Sequence, residues 1–133
     1  MSERPKILVI DDDQPLLLLM KNILSEFRFE ALVASSGTQA LAMARAENPE
    51  LILIDKNMPG MSGEDVIRQL KADPIFRQIP ILVLSGEPLS PRELAELGVQ
   101  GSVQKPFDLN SLIAEIRSRL PRTAAKEVAT ASL

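Results

Sequence analysis

The chain has 133 residues, of which 45% are hydrophobic and 25% charged, and this length and balance predict one globular domain. A formal net charge of −3 and a pI near 5.0 argue against a surface that binds nucleic acid directly. Because the sequence contains no cysteine and no histidine, disulfides, thiolate zinc sites, cysteine nucleophiles and imidazole ligands are excluded. Any chemistry must therefore use carboxylates, hydroxyls, amines or backbone groups.

The amino-terminal segment MSERPKILVIDDD is not typical of a secretory signal peptide. Its apolar run is short and three acidic residues follow it at once. The longest apolar stretches of the chain also fall far below the roughly 20 residues that cross a bilayer. The sequence therefore predicts a soluble cytoplasmic protein that does not bind a membrane.

Apolar runs of strand length alternate with helical patterns in the first half of the chain. The predicted elements are a strand at Lys6–Ile10, a helix at Pro15–Phe27, a strand at Glu30–Ala34, a helix at Gly37–Glu47 and a strand at Leu51–Asp55. The first helix has enough apolar residues for one broad buried face. The strand LILID has almost no polar interruption, which is typical of strands buried on both faces of a parallel sheet.

The second half continues the alternation. The predicted elements are a helix from Ser62 to Ala72, a strand at Ile79–Ser85, a helix from Ser90 that stops before Gly98, a strand at Val99–Gln104 and a helix capped by Asp108 and ended by Pro121. Ser90-Pro91-Arg92-Glu93 combines a capping box with proline at the first helical position. The last helix has apolar residues at helical spacing, namely Leu109, Leu112, Ile113, Ile116 and Leu120.

Strict alternation of five strands and five helices predicts an α/β fold, a doubly wound five-stranded parallel sheet with helices on both faces. Sites in such sheets lie at the carboxyl ends of the strands. Polar residues stand at four of these ends: Asp11-Asp12-Asp13 after the first strand, Asp55 in the third, Ser85 in the fourth and Lys105 after the fifth. Each has an ordinary explanation alone, such as helix capping by Asp13. Their coincidence at one edge favours a functional site.

These groups suit the transfer of a phosphoryl group to a carboxylate. Several carboxylates packed together repel one another, and a hard divalent cation with oxygen ligands, such as Mg²⁺, relieves that repulsion. Such a cation also neutralises charge as the phosphoryl group arrives. A hydroxyl and an ammonium group opposite can bind the remaining phosphoryl oxygens.

The pattern resembles the receiver domain of bacterial two-component response regulators, and especially chemotaxis regulators, over about residues 5 to 120. The matching features are the acidic pair Asp11-Asp12, Asp55 within LILIDKNMPGMSG, the hydroxyl of Ser85, and Lys105-Pro106. The resemblance implies a flavodoxin-like fold with strand order 2-1-3-4-5. We expect residues 1–120 to form the receiver domain and residues 121–133 to be a carboxy-terminal tail or a truncated linker.

The resemblance also implies roles for individual residues. Asp55 would accept a phosphoryl group from the phosphohistidine of a sensor histidine kinase or phosphotransfer protein, or from a small phosphodonor. Ser85 would hydrogen-bond the phosphoryl group and Lys105 would form an ion pair with it. The peptide bond between Lys105 and Pro106 is cis in many relatives. The chain would not be an enzyme beyond its own phosphorylation and dephosphorylation.

The implied cofactor is Mg²⁺. Asp12 and Asp55 would bind it through their carboxylates, Asn57 through its backbone carbonyl, and Asp11 through water. No other cofactor is implied.

In this family the added phosphoryl charge, about −1.5 to −2, biases an equilibrium between two conformations. The implied change lies chiefly over the fourth helix, the fifth strand and the fifth helix, which form a surface for protein–protein output. Many receivers form homodimers through this surface only when phosphorylated, so the oligomeric state stays open. The sequence does not identify the kinase, the pathway or the output partner.

Two features bear on how phosphorylation is read out, and a third bears on how long it lasts. Many relatives have an aromatic residue where this chain has Ser102, and the chain has no Tyr or Trp. The interval from Ser85 to Lys105 is shorter than in common members, which predicts a shortened or displaced fourth helix. Asn57 and Glu87, each two positions beyond a site residue, resemble a pair found in regulators that dephosphorylate fast. We therefore expect a short-lived phosphoryl-aspartate.

Two other functions stay open at this point. Asp11-Asp12-Asp13 imitates the D-x-D motif of haloacid-dehalogenase-type phosphatases, but these enzymes need a further acidic pair after the lysine and would leave LILID unexplained. A docking module with a receiver fold that acts without phosphorylation is the second alternative, suggested by Ser102. Both a free-standing regulator and a receiver from a larger protein fit the sequence.

Overall fold

The computed structural model describes residues 4–120. Its five strands form one parallel sheet of order β2-β1-β3-β4-β5. The strands are β1 (Lys6–Ile10), β2 (Glu30–Ala34), β3 (Leu51–Asp55), β4 (Ile81–Ser85) and β5 (Gly101–Gln104). The helices are α1 (Gln14–Glu26), α2 (Gly37–Glu47), α3 (Gly63–Ala72), α4 (Pro91–Leu97) and α5 (Leu109–Arg119). The predicted α/β fold, its alternation and its strand order are confirmed.

The sheet separates two hydrophobic cores because successive side chains of a strand point to opposite faces. On β1, Ile7 and Val9 pack with α1 and α5, whereas Leu8 and Ile10 pack on the side of α2 and α3. All residues of β3 and β4 are buried. These two strands are therefore covered on both faces, as their apolar runs predict.

Side-chain caps fix where the helices begin. Asp13 accepts a hydrogen bond from the backbone N–H of Leu16 at 3.1 Å, which confirms its capping role. Ser62 and Ser90 each form a complete capping box, with Asp65 and Glu93 respectively. These local signals place α3 and α4 close to their predicted positions.

Two predicted strands begin later than expected. Ile79 donates its N–H to the carbonyl of Phe76 at 3.0 Å, and Pro80 has no N–H, so β4 begins at Ile81. Similarly, Val99 donates to the carbonyl of Leu94 at 3.1 Å within the end of α4, and β5 begins two residues later. Turn hydrogen bonds compete with the sheet at both places.

Helix α1 spans Gln14–Glu26, and only part of its apolar surface is buried. Leu17, Met20 and Leu24 face the core, but Leu18 is 64% exposed and Leu19 52% exposed. A run of five apolar residues extends around more than one turn of a helix, so one buried face cannot cover all of it. The buried face of α1 is therefore narrower than predicted.

Helix α4 is short, as the spacing predicts. It has seven residues, none of them fully buried, and it ends at Gly98 in a left-handed conformation with φ of 71°. Pro121 and the predicted tail at residues 121–133 lie outside the described residues. Within residues 4–120, no helix combines the length and the apolar character needed to cross a membrane.

Candidate functional site

Three carboxylates meet at the carboxyl edge of the sheet. Strands β1 and β3 are neighbours with Ile10 opposite Ile54, and this register brings Asp11 next to Asp55. One carboxylate oxygen from each of Asp11, Asp12 and Asp55 lies within 4.8 Å of the others. Asp11 and Asp55 are buried and Asp12 is exposed. The cluster therefore opens to solvent through Asp12.

Asp11 is held on both sides of its carboxylate. One oxygen accepts a hydrogen bond from the backbone N–H of Asp13 at 3.0 Å, and the other accepts one from the ammonium of Lys105 at 2.7 Å. Its own N–H donates to the carbonyl of Ala34 at 3.1 Å, which continues the hydrogen bonding to β2. Asp11 is thus the most firmly positioned acid of the cluster.

Lys105 bridges the two buried acids. Its Nζ lies 2.7 Å from Asp11 Oδ2 and 3.5 Å from Asp55 Oδ1. The backbone N–H of Lys105 donates to the carbonyl of Ser85 at 2.8 Å, and the peptide bond from Lys105 to Pro106 is cis. Burial lowers the pKa of the ammonium, but its contacts with Asp11 and Asp55 outweigh burial, so the pKa is raised overall. Lys105 is therefore a cation held in the site.

Asp55 is in an environment that disfavours its charge. Burial, and then repulsion by Asp11, raise its pKa above the ordinary value, although Lys105 and the backbone N–H of Asn57 oppose this. The hydrogen bond from the Asn57 N–H is long, at 3.5 Å. One ammonium group does not compensate the neighbouring acids, so an additional cation would be favoured at this position.

Ser85 reaches the same edge, but its hydroxyl bonds within its own loop. The Oγ atom donates to the carbonyl of Glu87 at 2.6 Å and accepts from the N–H of Glu87 at 3.2 Å. Next to it, the side-chain amide of Gln104 donates to the carbonyl of Gly86 at 3.3 Å. The serine is thus close to the acids in the fold, with its donor already engaged.

The structure reveals a contact from the residue after Asp55 to helix α4. The Lys56 Nζ lies 3.5 Å from Glu93 Oε2. The Lys56 backbone is fixed as well, because its N–H donates to the carbonyl of Leu84 at 3.0 Å and its carbonyl accepts from Gly63 at 3.1 Å. The sequence carries no signal for this pair, whose members are 37 residues apart.

Gly63 is a second residue that sequence reasoning missed. A Cβ atom at this position would lie 2.2 Å from the backbone carbonyl oxygen of Asp55. Helix α3 therefore starts against the backbone of the central acid, and only glycine leaves room for this approach. A glycine directly after the helix-capping serine, Ser62, could have indicated this close approach.

The position where relatives have an aromatic ring is half-buried on β5. Ser102 pairs with Val83 in the sheet register, and its neighbours Gly101 and Val103 are buried. Its short side chain supplies no ring that could move with Ser85.

The chain is similar to known proteins in both sequence and structure. Residues 7–117 match the family model described as response regulator receiver domain. The chain is 37% identical to the DNA-binding response regulator MtrA of Mycobacterium tuberculosis over 121 residues, which is 90% of this chain but 52% of MtrA. It is 35% identical to the chemotaxis protein CheY of Pseudomonas aeruginosa, covering 88% of this chain and 97% of CheY.

Among solved structures, the chemotaxis protein CheY4 of Vibrio cholerae superposes with a TM-score of 0.82 at 28% identity. That alignment covers 88% of this chain and 99% of CheY4. The chain thus spans about half the length of the DNA-binding relative and nearly the whole of the chemotaxis relatives.

Proposed function

Because the chain belongs to the response regulator receiver domain family of two-component systems, we propose that Asp55 is its phosphoacceptor. The observation that carries the proposal is the ion pairing at the sheet edge. Lys105 Nζ lies between the carboxylates of Asp11 and Asp55, at 2.7 and 3.5 Å, with Asp12 at the solvent side. This arrangement combines a nucleophilic carboxylate, a cation for the incoming phosphoryl oxygens and an acidic cluster.

The acids suit Mg²⁺, because oxygen ligands are those that this cation prefers. Asp12 and Asp55 would bind it through their carboxylates, Asn57 through its backbone carbonyl, and Asp11 through water. When bound, the ion would offset the negative charge that accumulates as phosphate approaches a carboxylate. The raised pKa of Asp55, caused first by burial and then by Asp11, is consistent with a group that needs such an ion.

The residues of the chain supply position and charge for the transfer. Asp55 forms the new P–O bond while the P–N bond to a donor histidine breaks and the imidazole leaves with its electron pair. Lys105 moves its ion pairing from Asp55 toward the phosphoryl group and keeps its bond to Asp11. Ser85 gives up its bond to the Glu87 carbonyl, 2.6 Å long at rest, and donates to a phosphoryl oxygen instead.

We further propose that the donor is a sensor histidine kinase or phosphotransfer protein, and that output passes through the surface of α4, β5 and α5 to a protein partner. MtrA is named as DNA-binding, but this chain covers only half of it, so the effector can be another protein or another domain. Residues 1–120 would form the receiver, and residues 121–133 a tail or linker. Asn57 and Glu87 would give the phosphoryl-aspartate a short lifetime.

Phosphorylation by acetyl phosphate, followed by intact mass, tests the site. With Mg²⁺ we expect the wild-type chain to gain the mass of one phosphoryl group, and Asp55→Asn to gain none. Asp13→Asn is the matched control, because asparagine preserves the helix cap and removes a neighbouring acid outside the site. EDTA is expected to abolish the mass increase in the wild type.

The alternatives predict different results in the same experiment. A mass increase that persists in Asp55→Asn would overturn the site assignment. No incorporation from acetyl phosphate or from an active cognate kinase would favour the phosphorylation-independent docking module. Steady hydrolysis of a phosphate ester by Asp55→Asn would instead favour the phosphatase.

A further inference from the structure

The ion pair between Lys56 and Glu93 joins the candidate phosphorylation site to helix α4. Lys56 directly follows Asp55, and its backbone is held by β4 on one side and by the start of α3 on the other. The side chain is the part that remains free to move. It is 27% exposed and its ammonium lies 3.5 Å from the Glu93 carboxylate, whose side chain is 45% exposed.

Glu93 uses its two carboxylate oxygens for different partners. Oε1 accepts the backbone N–H of Ser90 at 3.2 Å and completes the capping box, while Oε2 contacts Lys56. The hydrogen bond from Ser90, and then the charge of Lys56, lower the pKa of Glu93. The residue that starts α4 is therefore the same residue that links α4 to the site.

Helix α4 has few other means of attachment. None of its seven residues is fully buried, and only Leu94 and Leu97 pack against the core from within the helix. Its remaining ion pair, between Arg92 and Glu96 at 3.0 Å, lies within the helix and does not reach the site. Among residues 4–120, the pair with Lys56 is thus the one ion pair that joins α4 to another part of the chain.

We propose that Lys56 relays the phosphorylation state of Asp55 to α4 by exchanging its partner, from Glu93 at rest to the phosphoryl group. This inference rests on the proposed phosphoacceptor role of Asp55. A phosphoryl group brings about −1.5 to −2 charges to the adjacent residue, against the single charge of Glu93. The Cα atoms of adjacent residues are about 3.8 Å apart, so the Lys56 backbone stays beside the added charge, and the flexible four-carbon stem of lysine lets its ammonium change direction.

The exchange offers a readout that does not need a ring at Ser102. When the Lys56 ammonium leaves Glu93, the capping box remains but the ion pair that links α4 to the residue after β3 is lost. The first turn of α4 therefore opens more often. Lys56 acts here as a positioning residue, since it changes the state of α4 through Glu93.

Hydrogen–deuterium exchange of the peptide containing α4, with and without Mg²⁺ and acetyl phosphate, tests the proposal. Glu93→Gln keeps an acceptor for Ser90 and removes the charge, and Lys56→Met removes the ammonium. Glu96→Gln is the matched control, with the same charge change on the same helix. Unphosphorylated Glu93→Gln and Lys56→Met should exchange about twofold to fivefold faster in α4 than wild type, the range expected for one partly exposed ion pair.

On phosphorylation, hydrogen–deuterium exchange in α4 should become faster by a similar factor in wild type and in Glu96→Gln. In Glu93→Gln and Lys56→Met, which already lack the ion pair, the exchange rate should change little further. Equal resting exchange in Glu93→Gln and Glu96→Gln, or a full response to phosphorylation in Lys56→Met, would overturn the proposal. Intact mass of the same samples reports phosphorylation separately. If wild type gains no mass, the phosphoacceptor role of Asp55 and the change of partner by Lys56 both fail. The comparison of unphosphorylated Glu93→Gln with Glu96→Gln still shows whether the ion pair between Lys56 and Glu93 forms in solution.

Discussion

At the level of single residues, the site is a balance of charge around Asp55. Its pKa is raised, first by burial and then by Asp11, so the folded state holds the proton more firmly than the unfolded state does. The free energy of unfolding therefore decreases as the pH rises from the ordinary pKa of 3.8 through the raised pKa of the folded state. The destabilisation is complete once the pH exceeds both of these pKa values. Lys105 also has a second acidic partner, because its Nζ donates to Asp11 Oδ2 at 2.7 Å.

We accordingly expect Asp55→Asn to melt a few degrees above wild type at pH 7 in the absence of divalent cations. The advantage should shrink as the pH is lowered toward 3.8, where wild type also becomes protonated. Thermal unfolding by circular dichroism across this pH range measures it. Asp13→Asn is the control and should not melt above wild type at pH 7, because it removes an acid outside the cluster. A variant Asp55→Asn that melts below wild type at pH 7 would contradict this charge balance.

The residues of the site could be predicted where each ends a strand. Asp11, Asp55, Ser85 and Lys105 follow or finish apolar runs, and a parallel sheet collects such ends at one edge. The pairing of Lys56 with Glu93 could not be predicted, because it depends on how α4 packs beside the turn after β3. The hydroxyl of Ser85 was predicted at the site, but its bonds to Glu87 follow from the conformation of the loop.

At the level of elements, the start of α3 is set by the space that Gly63 leaves beside Asp55. We expect Gly63→Ala to cost about 1–3 kcal/mol of stability, because a Cβ placed 2.2 Å from the Asp55 carbonyl oxygen forces β3 or α3 to move. Phosphorylation by acetyl phosphate should slow as well, since the same shift displaces Asp55. Urea unfolding and intact mass measure the two effects.

Gly86→Ala is the matched control for this substitution. A Cβ at Gly86 would meet no atom within 4 Å, so its stability should be unchanged or slightly increased. Equal stability of Gly63→Ala and Gly86→Ala would show that the close approach of α3 to β3 is relaxed in solution.

The starts of α3 and α4 were predicted to within one residue, whereas β4 and β5 begin two residues later than predicted, and the reason is local. Capping by Ser62 and Ser90 depends on residues three positions away, which can be read directly from the sequence. The starts of β4 and β5 depend on whether turn residues such as Ile79 and Val99 donate to the turn or to the sheet. The exposure of Leu18 and Leu19 depends on how much of α1 the sheet covers.

At the level of the whole molecule, a cation that binds only the folded state should stabilise the fold increasingly as its concentration rises, with the logarithm of concentration once the site is mostly occupied. We expect Mg²⁺ to raise the Tm of wild type progressively, and Asp12→Asn to lose most of that increase. Asp12 is exposed, so its substitution should leave the Tm without metal nearly unchanged. Thermal unfolding at constant ionic strength measures the effect.

Asp13→Asn is expected to respond to Mg²⁺ as wild type does, because its side chain caps α1. An equal Tm increase in Asp12→Asn and wild type would indicate that the cation acts elsewhere on the surface.

The sheet divides the interior into two cores, one under α1 and α5 and the other under α2, α3 and α4. Substitutions in different cores share few contacts, so their effects on stability should add. Over evolutionary time, one side of such a molecule can accumulate changes without compensating changes on the other. Helices outside the proposed output surface, such as α1 on one face and α2 on the other, can therefore diverge separately while the acidic edge between them stays the same.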